Sequence, residues 1–524
     1  MLSNSGRLPV EFKGMPGPYF ENINLTYDQN RRELSASDGL GNDLWRIVLH
    51  EDRPRRQQYN VYNPGIAHAR ALGHLLLISA GGNLFAIDTL RAGEKNPPKI
   101  LWSQSMAEVS GDPADMQPIF PQGAFAGVVQ MRIMQMYNQN HDLEAATDRY
   151  VCVQRSRSLI ALDPLSGATL WVRQDIPQGS VVFGDDEYVF VLPPDKPEAL
   201  VLRALDGEQA GTRKIPRTEA EVAIGNSGGQ TIKNYSLLSE SCPIILGRNL
   251  LFWRLEQNRR VLELFDPWTQ KSVWPSREFS FHAQYSILGN ELIGILEPKG
   301  DFVLLNLADG RPIAEINLKA QPYLAELTLI ASENQYLVLA HDSYQDPNAP
   351  QLRPVQPLGT PSKQVIKGRL YAIDQSGKLV WPEPVQIKDQ QLLTNQPRDL
   401  PILLFACHKF EQRQNSPGRA LLTVLGIDKR SGRAVYSNEF SRSSGIFNVV
   451  GNAENKTVNL MMQTQTVTLT FTDKPYQSPE QQSQAAKAKQ PRGNATQALL
   501  KSLEKTMGRM FGLPGEDSLD EEEP

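Results

Sequence analysis

One short phrase returns eight times along this chain, and a recurring phrase of this kind means one supersecondary unit copied many times. Its clearest copy is Leu159-Ile160-Ala161-Leu162-Asp163-Pro164-Leu165-Ser166-Gly167-Ala168-Thr169-Leu170-Trp171. It consists of an alternating apolar strand, a small residue, an apolar residue, Asp, a tight turn with Gly, a second strand and Trp. The Asp recurs as Asp38, Asp88, Asp163, Asp206, Asp266, Asp374 and Asp428, with Asn306 in its place once. Two residues earlier stand Ala36, Ala86, Ala161, Ala204, Ala372 and Gly426, while Leu264 and Leu304 break the rule. After it come Gly41, Gly93, Gly167, Gly310, Gly377 and Gly432; Gly207 follows Asp206 directly, and the Asp266 copy has Gln270 instead. The aromatic is Trp45, Trp102, Trp171, Trp274, Trp381 or Tyr436, and the Asp206 and Asn306 copies lack one.

Each part has a physical role. Apolar residues at a period of two make a strand with one buried face. Asp or Asn hydrogen-bonds the backbone two residues on and closes a turn. Gly adopts positive φ without steric cost. The indole brings a large flat surface and an N–H that needs a partner once buried. The Ala two residues before the Asp leaves room for the ring, so each phrase is expected to be a β-hairpin fastened by an aromatic.

Successive Asp/Asn positions lie between 40 residues (Asp266 to Asn306) and 75 residues (Asp88 to Asp163) apart. A four-stranded antiparallel blade takes about 40 residues. The longer intervals are a blade plus insertions, at Gly111–Ala146 and at the proline-bearing Asp342–Gly368. The first phrase, Leu34–Trp45, comes too early to own a full upstream blade. The strand-like runs Ile446–Val450 and Thr457–Phe471 are expected to complete it and remove the open edges of the array. The expected fold is all-β: a single eight-bladed propeller of four-stranded antiparallel blades, with seven blades as the alternative, closed by N- and C-terminal strands. The domains are an N-terminal extension at 1–33, the propeller at 34–472, a flexible linker at 473–493, an amphipathic helix at 494–512 and an acidic disordered tail at 513–524.

The copies Ala161-Leu162-Asp163 through Gly167 to Trp171, and Tyr371-Ala372-Ile373-Asp374-Gln375-Ser376-Gly377-Lys378-Leu379-Val380-Trp381, resemble the repeat of the pyrroloquinoline-quinone-like (PQQ-like) β-propellers. That family includes quinoprotein alcohol dehydrogenases and the outer-membrane assembly lipoprotein BamB. The resemblance covers Leu34 to Phe471. In the dehydrogenase branch it implies a vicinal Cys–Cys disulfide over the quinone and a Glu/Asn/Asp set holding calcium. The cysteines here are Cys152, Cys242 and Cys407, and none are adjacent. No calcium set can be matched residue by residue, so no cofactor, metal or catalytic residue is assigned.

Net charge is −4, and six acids fall between Glu516 and Glu523. No basic patch points to nucleic acid, and no apolar run approaches the roughly 18–20 residues of a membrane helix. The N-terminus Met1–Arg7 shows no apolar signal core, whereas the resembled family is mostly exported and periplasmic. In the tail, Leu499, Leu500, Leu503, Met507, Met510 and Phe511 recur at helical spacing after the N-cap candidate Asn494.

None of the seven histidines, His50, His68, His74, His141, His282, His341 and His408, stands in a metal-ligand spacing. Asp185-Asp186 after Gly184 is expected to be a hairpin turn, and Gly225–Gly229 a loop without the Lys of a phosphate-binding motif. The repeated Asp residues are expected to serve the turns. The leading functional expectation is a non-catalytic scaffold or binding module with a protein partner, presenting loops at the ends of a stiff ring. The alternative is a PQQ-dependent alcohol or sugar dehydrogenase. A third reading is a ligand-sensing module of a larger exported protein.

Overall fold

A computed structural model describes residues 7–472, except 14–16, 29, 50–66, 81–82, 94, 106–142, 156, 178–179, 194–195, 224–230, 238–243, 290, 333, 343–351, 354–362, 394–395, 414–415, 442–445 and 463–464. The described residues up to Leu469 belong to one compact unit. The linker, tail helix and acidic end therefore lie outside the described residues, as do most of both insertions, Gly225–Gly229, Cys242, His50 and His141. The fold is an all-β propeller with four-stranded blades. Among the described residues the helical content is the single turn Gly17–Phe20.

Two sheets show the blade in its simplest form. Val181–Gly184, Tyr188–Leu192, Glu198–Arg203 and Gln209–Lys214 pair in chain order, and so do Gln284–Leu288, Leu292–Leu296, Asp301–Asn306 and Pro312–Asn317. In the blade of the clearest phrase, Val151–Arg155, Ser158–Leu162 and Thr169–Arg173 form the ladder. Its inner edge is extended by the Ala146 to Val151 bridge and by Cys152 N–H donating to the Ala145 carbonyl at 2.9 Å.

The expected count of eight is corrected to seven. Apart from the hairpin Arg217–Ala223 with Thr231–Leu237, the described strands form seven sheets. Phrases and sheets do not map one to one because pairing crosses phrase boundaries. Arg7–Phe12 runs antiparallel to Asn24–Asp28 and parallel to Ala67–Leu72, with Val10 opposite Ala67, so the Asp38 and Asp88 phrases share one sheet. Leu392 opposite Phe405 joins the Asp374 and Asp428 phrases in another. The last sheet, Ile446–Asn452, Thr457–Met462 and Thr466–Thr470, carries no phrase.

The chain ends also differ from expectation. Asn24–Asp28 pairs with Glu33–Ser37, so the first sheet draws strands from within 1–33 and needs no C-terminal strands to complete it. The ends meet through a turn. Gly451 N–H donates to the Leu40 carbonyl and Asp399 N–H to the Gly39 carbonyl, both at 2.7 Å, and the Arg398 guanidinium reaches the Glu21 carbonyl at 3.0 Å. A Cβ on Gly39 would fall 1.7 Å from the Asp399 carboxylate, so a side chain there would displace that carboxylate from its place against the turn.

The core lies between neighbouring sheets. Tyr150, Leu159, Ala161 and Trp171 of one sheet are buried with Val182, Val189 and Leu202 of the next. Trp253, Leu262 and Trp274 pack likewise against Ile293, Ile295 and Leu305. Each strand's apolar face is covered by an adjacent blade, which removes it from water.

Candidate interaction face

Every phrase carboxylate or amide closes its own turn. The Asp163 carboxylate accepts from Leu165 N–H at 3.1 Å and from the Ser166 N–H and hydroxyl, each at 2.7 Å. The Asp374 carboxylate accepts from Ser376 N–H at 2.8 Å and Lys378 N–H at 2.9 Å, and the Asp38 carboxylate from Leu40 and Asn42 N–H. Asp88, Asp206, Asp266, Asn306 and Asp428 each accept from the N–H two residues on. Hydrogen bonds to the charged form hold carboxyls below the ordinary range. Asp163 is lowered first by the Ser166 hydroxyl, Asp206 first by Glu208 N–H and Asp374 first by Lys378 N–H.

The aromatic acts one blade further along than expected. Ala161 does stand opposite Trp171, and Ala86 opposite Trp102, which leaves room for the rings. The indole N–H groups, however, reach forward to the next phrase: Trp102 to the Pro164 carbonyl and Trp171 to the Ala204 carbonyl, both at 2.9 Å, and Trp274 to Leu307 and Trp381 to Arg430, both at 3.1 Å. The glycine of that next turn lies flat on the ring. A Cβ on Gly207 would come within 2.6 Å of Trp171, and one on Gly167 within 2.7 Å of Trp102. Each of these four Trp residues therefore fastens one blade to its neighbour, and the turns between third and fourth strands form a row along one face.

That row carries exposed leucines. Leu90, Leu165 and Leu205, on the turns of three consecutive phrases, are 57%, 61% and 88% exposed. The turns between first and second strands lie at the same end, because antiparallel strands alternate direction. Ala204 N–H donates to the Glu187 carbonyl at 2.9 Å, and the Tyr150 hydroxyl to the Asp185 carbonyl at 2.6 Å. Arg248 of the following sheet lies 3.1 Å from Asp185, 3.7 Å from Glu187 and 3.4 Å from Asp266. Asp185, Asp186, Glu187, Arg248 and Asn249 border a shallow concavity of about 490 Å³.

The sequence shows Asp185-Asp186 as a turn, which the 3.0 Å bond from Asp185 N–H to the Tyr188 carbonyl bears out, but not their place beside the leucines. The signal available was Leu at turn positions that need only a polar or small residue.

The described histidines do not come together. His341 Nε2 lies 2.9 Å from Glu326, His74 Nε2 lies 3.7 Å from Asp88, and His408 is half-buried with its imidazole pKa lowered by burial. Among the described residues, no group of three His, Cys, Asp or Glu side chains is placed to hold a metal ion. Cys152 and Cys407 are buried. Glu144, whose pKa burial raises, lies 3.5 Å from Lys13, and Arg70 donates to the Leu143 carbonyl at 2.9 Å. These groups tie the N-terminal strands to the next blade.

Among solved structures, BamB from Moraxella catarrhalis is similar at 14% identity, with 63% of this chain and 82% of that one covered and a TM-score of 0.29. Quinohemoprotein alcohol dehydrogenase from Comamonas testosteroni is similar at 13% identity, with 68% and 66% covered and a TM-score of 0.32. Apo AztD from Citrobacter koseri is similar at 12% identity, with 70% and 94% covered and a TM-score of 0.32. No curated protein matches the chain. The sequence profile of the family described as outer membrane protein assembly factor BamB matches residues 30–345, more than half of the chain, and the protein belongs to that family of PQQ-like β-propellers.

Proposed function

We propose that this protein is a non-catalytic propeller scaffold that binds a protein partner through the turn face carrying Leu165 and Leu205. The observation that carries this reading is the contrast on that face. The phrase carboxylates are consumed in turn closure by backbone N–H groups, while the side chains of Leu165 and Leu205 stand in solvent with no part in closing the turn. A Leu side chain left exposed forgoes about 1.5–3 kcal/mol of burial. A partner recovers that energy. The family description, outer membrane protein assembly factor, supports a binding role and a site of action in the cell envelope.

The proposal includes the domain plan: propeller to residue 472, then linker, amphipathic helix and acidic tail. It assigns no residue to catalysis, cofactor or metal. The experiment has two parts. Tagged full-length protein is isolated from its native cell after mild cross-linking, and a stoichiometric complex is expected. Purified protein is then titrated with PQQ and Ca²⁺, with absorbance and dye reduction as readouts. No saturation is expected up to about 100 μM, since a working cofactor site binds far more tightly. Saturable quinone binding with alcohol- or sugar-dependent dye reduction would establish the dehydrogenase reading and remove the scaffold.

A further inference from the structure

We infer that the partner segment seated on this face is basic and amphipathic, an inference that rests on the scaffold reading. Two independent features of the surface define it. The first is apolar: Leu165 and Leu205 project from turns of adjacent blades, 61% and 88% exposed. The turns are locked together by Trp171, whose indole N–H holds the Ala204 carbonyl and whose ring carries Gly207. The leucines therefore sit on a rigid base, and docking need not order the backbone beneath them. Leu90 extends the row by one blade.

The second feature is charge. The turns of these two blades, at 147–150, 163–168, 185–187 and 203–208, hold Asp148, Asp163, Asp185, Asp186, Glu187, Asp206 and Glu208 against Arg149 and Arg203. Arg203 is already engaged, at 2.5 Å from Asp206 and 2.6 Å from Glu208, and Arg248 is shared among Asp185, Glu187 and Asp266. Glu187 and Glu208 are more than 70% exposed and open to a partner's cations. An apolar row bordered by excess negative charge is complementary to a segment with leucine-like residues along one side and Lys or Arg along the other. An anionic lipid surface has the wrong sign. A second copy of the chain would place acidic borders against each other, at a cost from like-charge contact.

The probe is a fluorescent peptide of about 18 residues with Leu on one helical face and Lys on the other, titrated into the full chain by anisotropy. The same peptide with Glu for Lys serves as control. The Lys peptide is expected to bind and to weaken with added salt, and the Glu peptide not to bind. Leu165→Ser with Leu205→Ser is expected to weaken binding tenfold or more, from about two buried leucines. Asp186→Asn with Glu208→Gln is expected to weaken it about threefold and flatten the salt dependence. Far-ultraviolet dichroism and melting of each variant confirm an intact fold. Equal binding of the Glu peptide, or no loss in the serine variant, would overturn the inference. So would concentration-dependent dimerisation abolished by the serine changes without peptide binding, which would assign the face to a second copy. If the peptide fails while the cross-linked native complex persists in the serine variant, the scaffold reading stands on another surface and this inference alone is lost.

Discussion

Gly207 offers the sharpest test of how the blades are joined. It adopts φ +70° and a Cβ there would lie 2.6 Å from Trp171 Cε3 and 2.7 Å from Cδ2. Gly73 supplies an internal control, since it has a similar φ of +61° with nothing within 4 Å of the same added carbon. Gly73→Ala therefore pays only for left-handed backbone, about 1–2 kcal/mol. Gly207→Ala pays that and also forces the indole off its seat. Overpacking a well-filled site costs about 1–3 kcal/mol, which puts the total at about 2–5 kcal/mol. The indole cannot retreat freely, because its N–H is held by the Ala204 carbonyl and its far face lies in the core with Val189 and Leu202. Denaturant unfolding followed by tryptophan fluorescence and dichroism gives both costs. A double-mutant cycle isolates the clash: in a Trp171→Ala background, Gly207→Ala should cost no more than Gly73→Ala. Equal costs for the two glycines in the parent chain, or a Gly207 cost unchanged by removal of Trp171, would refute the inter-blade role of the ring.

Two further predictions concern pH. The Asp374 carboxyl is held below its ordinary value by Lys378 N–H and Ser376, so its stabilisation is present above the ordinary carboxylate range and lost as pH falls through the folded value. Asp374→Asn should therefore lower stability at neutral pH and shrink the difference from the parent as the pH approaches 2–3, measured as melting temperature against pH. Lys429 behaves in the opposite direction. It is 5% exposed, and burial pushes its ammonium down to about 8 despite the nearby Asp399, while its Nζ donates to the Arg398 carbonyl at 2.7 Å. The unfolded chain binds the extra proton between about pH 8 and the ordinary value of 10.5, so this group makes stability rise across that window. Lys429→Met should remove that rise. A parent and a variant with parallel stability profiles from pH 8 to 10.5 would contradict it.

How much of this was legible in the sequence depends on which strand is asked about. The phrase marks the third and fourth strands of a blade, and there the reading held in detail: Asp163 closes its turn, Gly167 takes positive φ, and Ala161 faces Trp171. The first and second strands carry no marker, so sheet membership was hidden. Nothing local in Val10-Glu11-Phe12 announces a parallel partner at Ala67-His68-Ala69, yet that pairing fuses two phrases into one sheet and alters the count. The direction of each Trp was equally hidden, because a ring over its own hairpin and a ring over the next turn require the same local spacing. The turn leucines were in plain view. Their exposure, however, depends on where neighbouring blades lie, which no single phrase encodes.

Of the two phrases that lack an aromatic, those of Asp206 and Asn306, the Asp206 phrase shows how a junction between blades is held without a phrase Trp. The strand Gln209–Lys214 has Gly211 opposite Val201, where the Asp88 and Asp163 phrases place Trp102 and Trp171 opposite Ala86 and Ala161. The following turn has Gln270 at φ +58° instead of glycine, so no flat ring seat is offered from either side. The turn supplies its own indole instead. Trp268 stacks on Tyr188 of the preceding blade with centroids 4.0 Å apart and lies under the Arg213 guanidinium at 4.1 Å. The Arg213 Nε in turn donates to the Trp268 carbonyl at 3.2 Å. The aromatic contact between blades is kept while the blade that donates it is exchanged. If the junction is what the fold needs, and not the phrase position, Trp268→Ala should cost about 1–3 kcal/mol, below the roughly 3–5 kcal/mol of a buried aromatic such as Trp171 because Trp268 is only partly buried. Trp268→Phe should recover part of that through retained stacking on Tyr188. A Trp268→Ala variant within about 0.5 kcal/mol of the parent, the range of a neutral surface change, would show that this junction is held by the Arg213 and Gln270 hydrogen bonds alone.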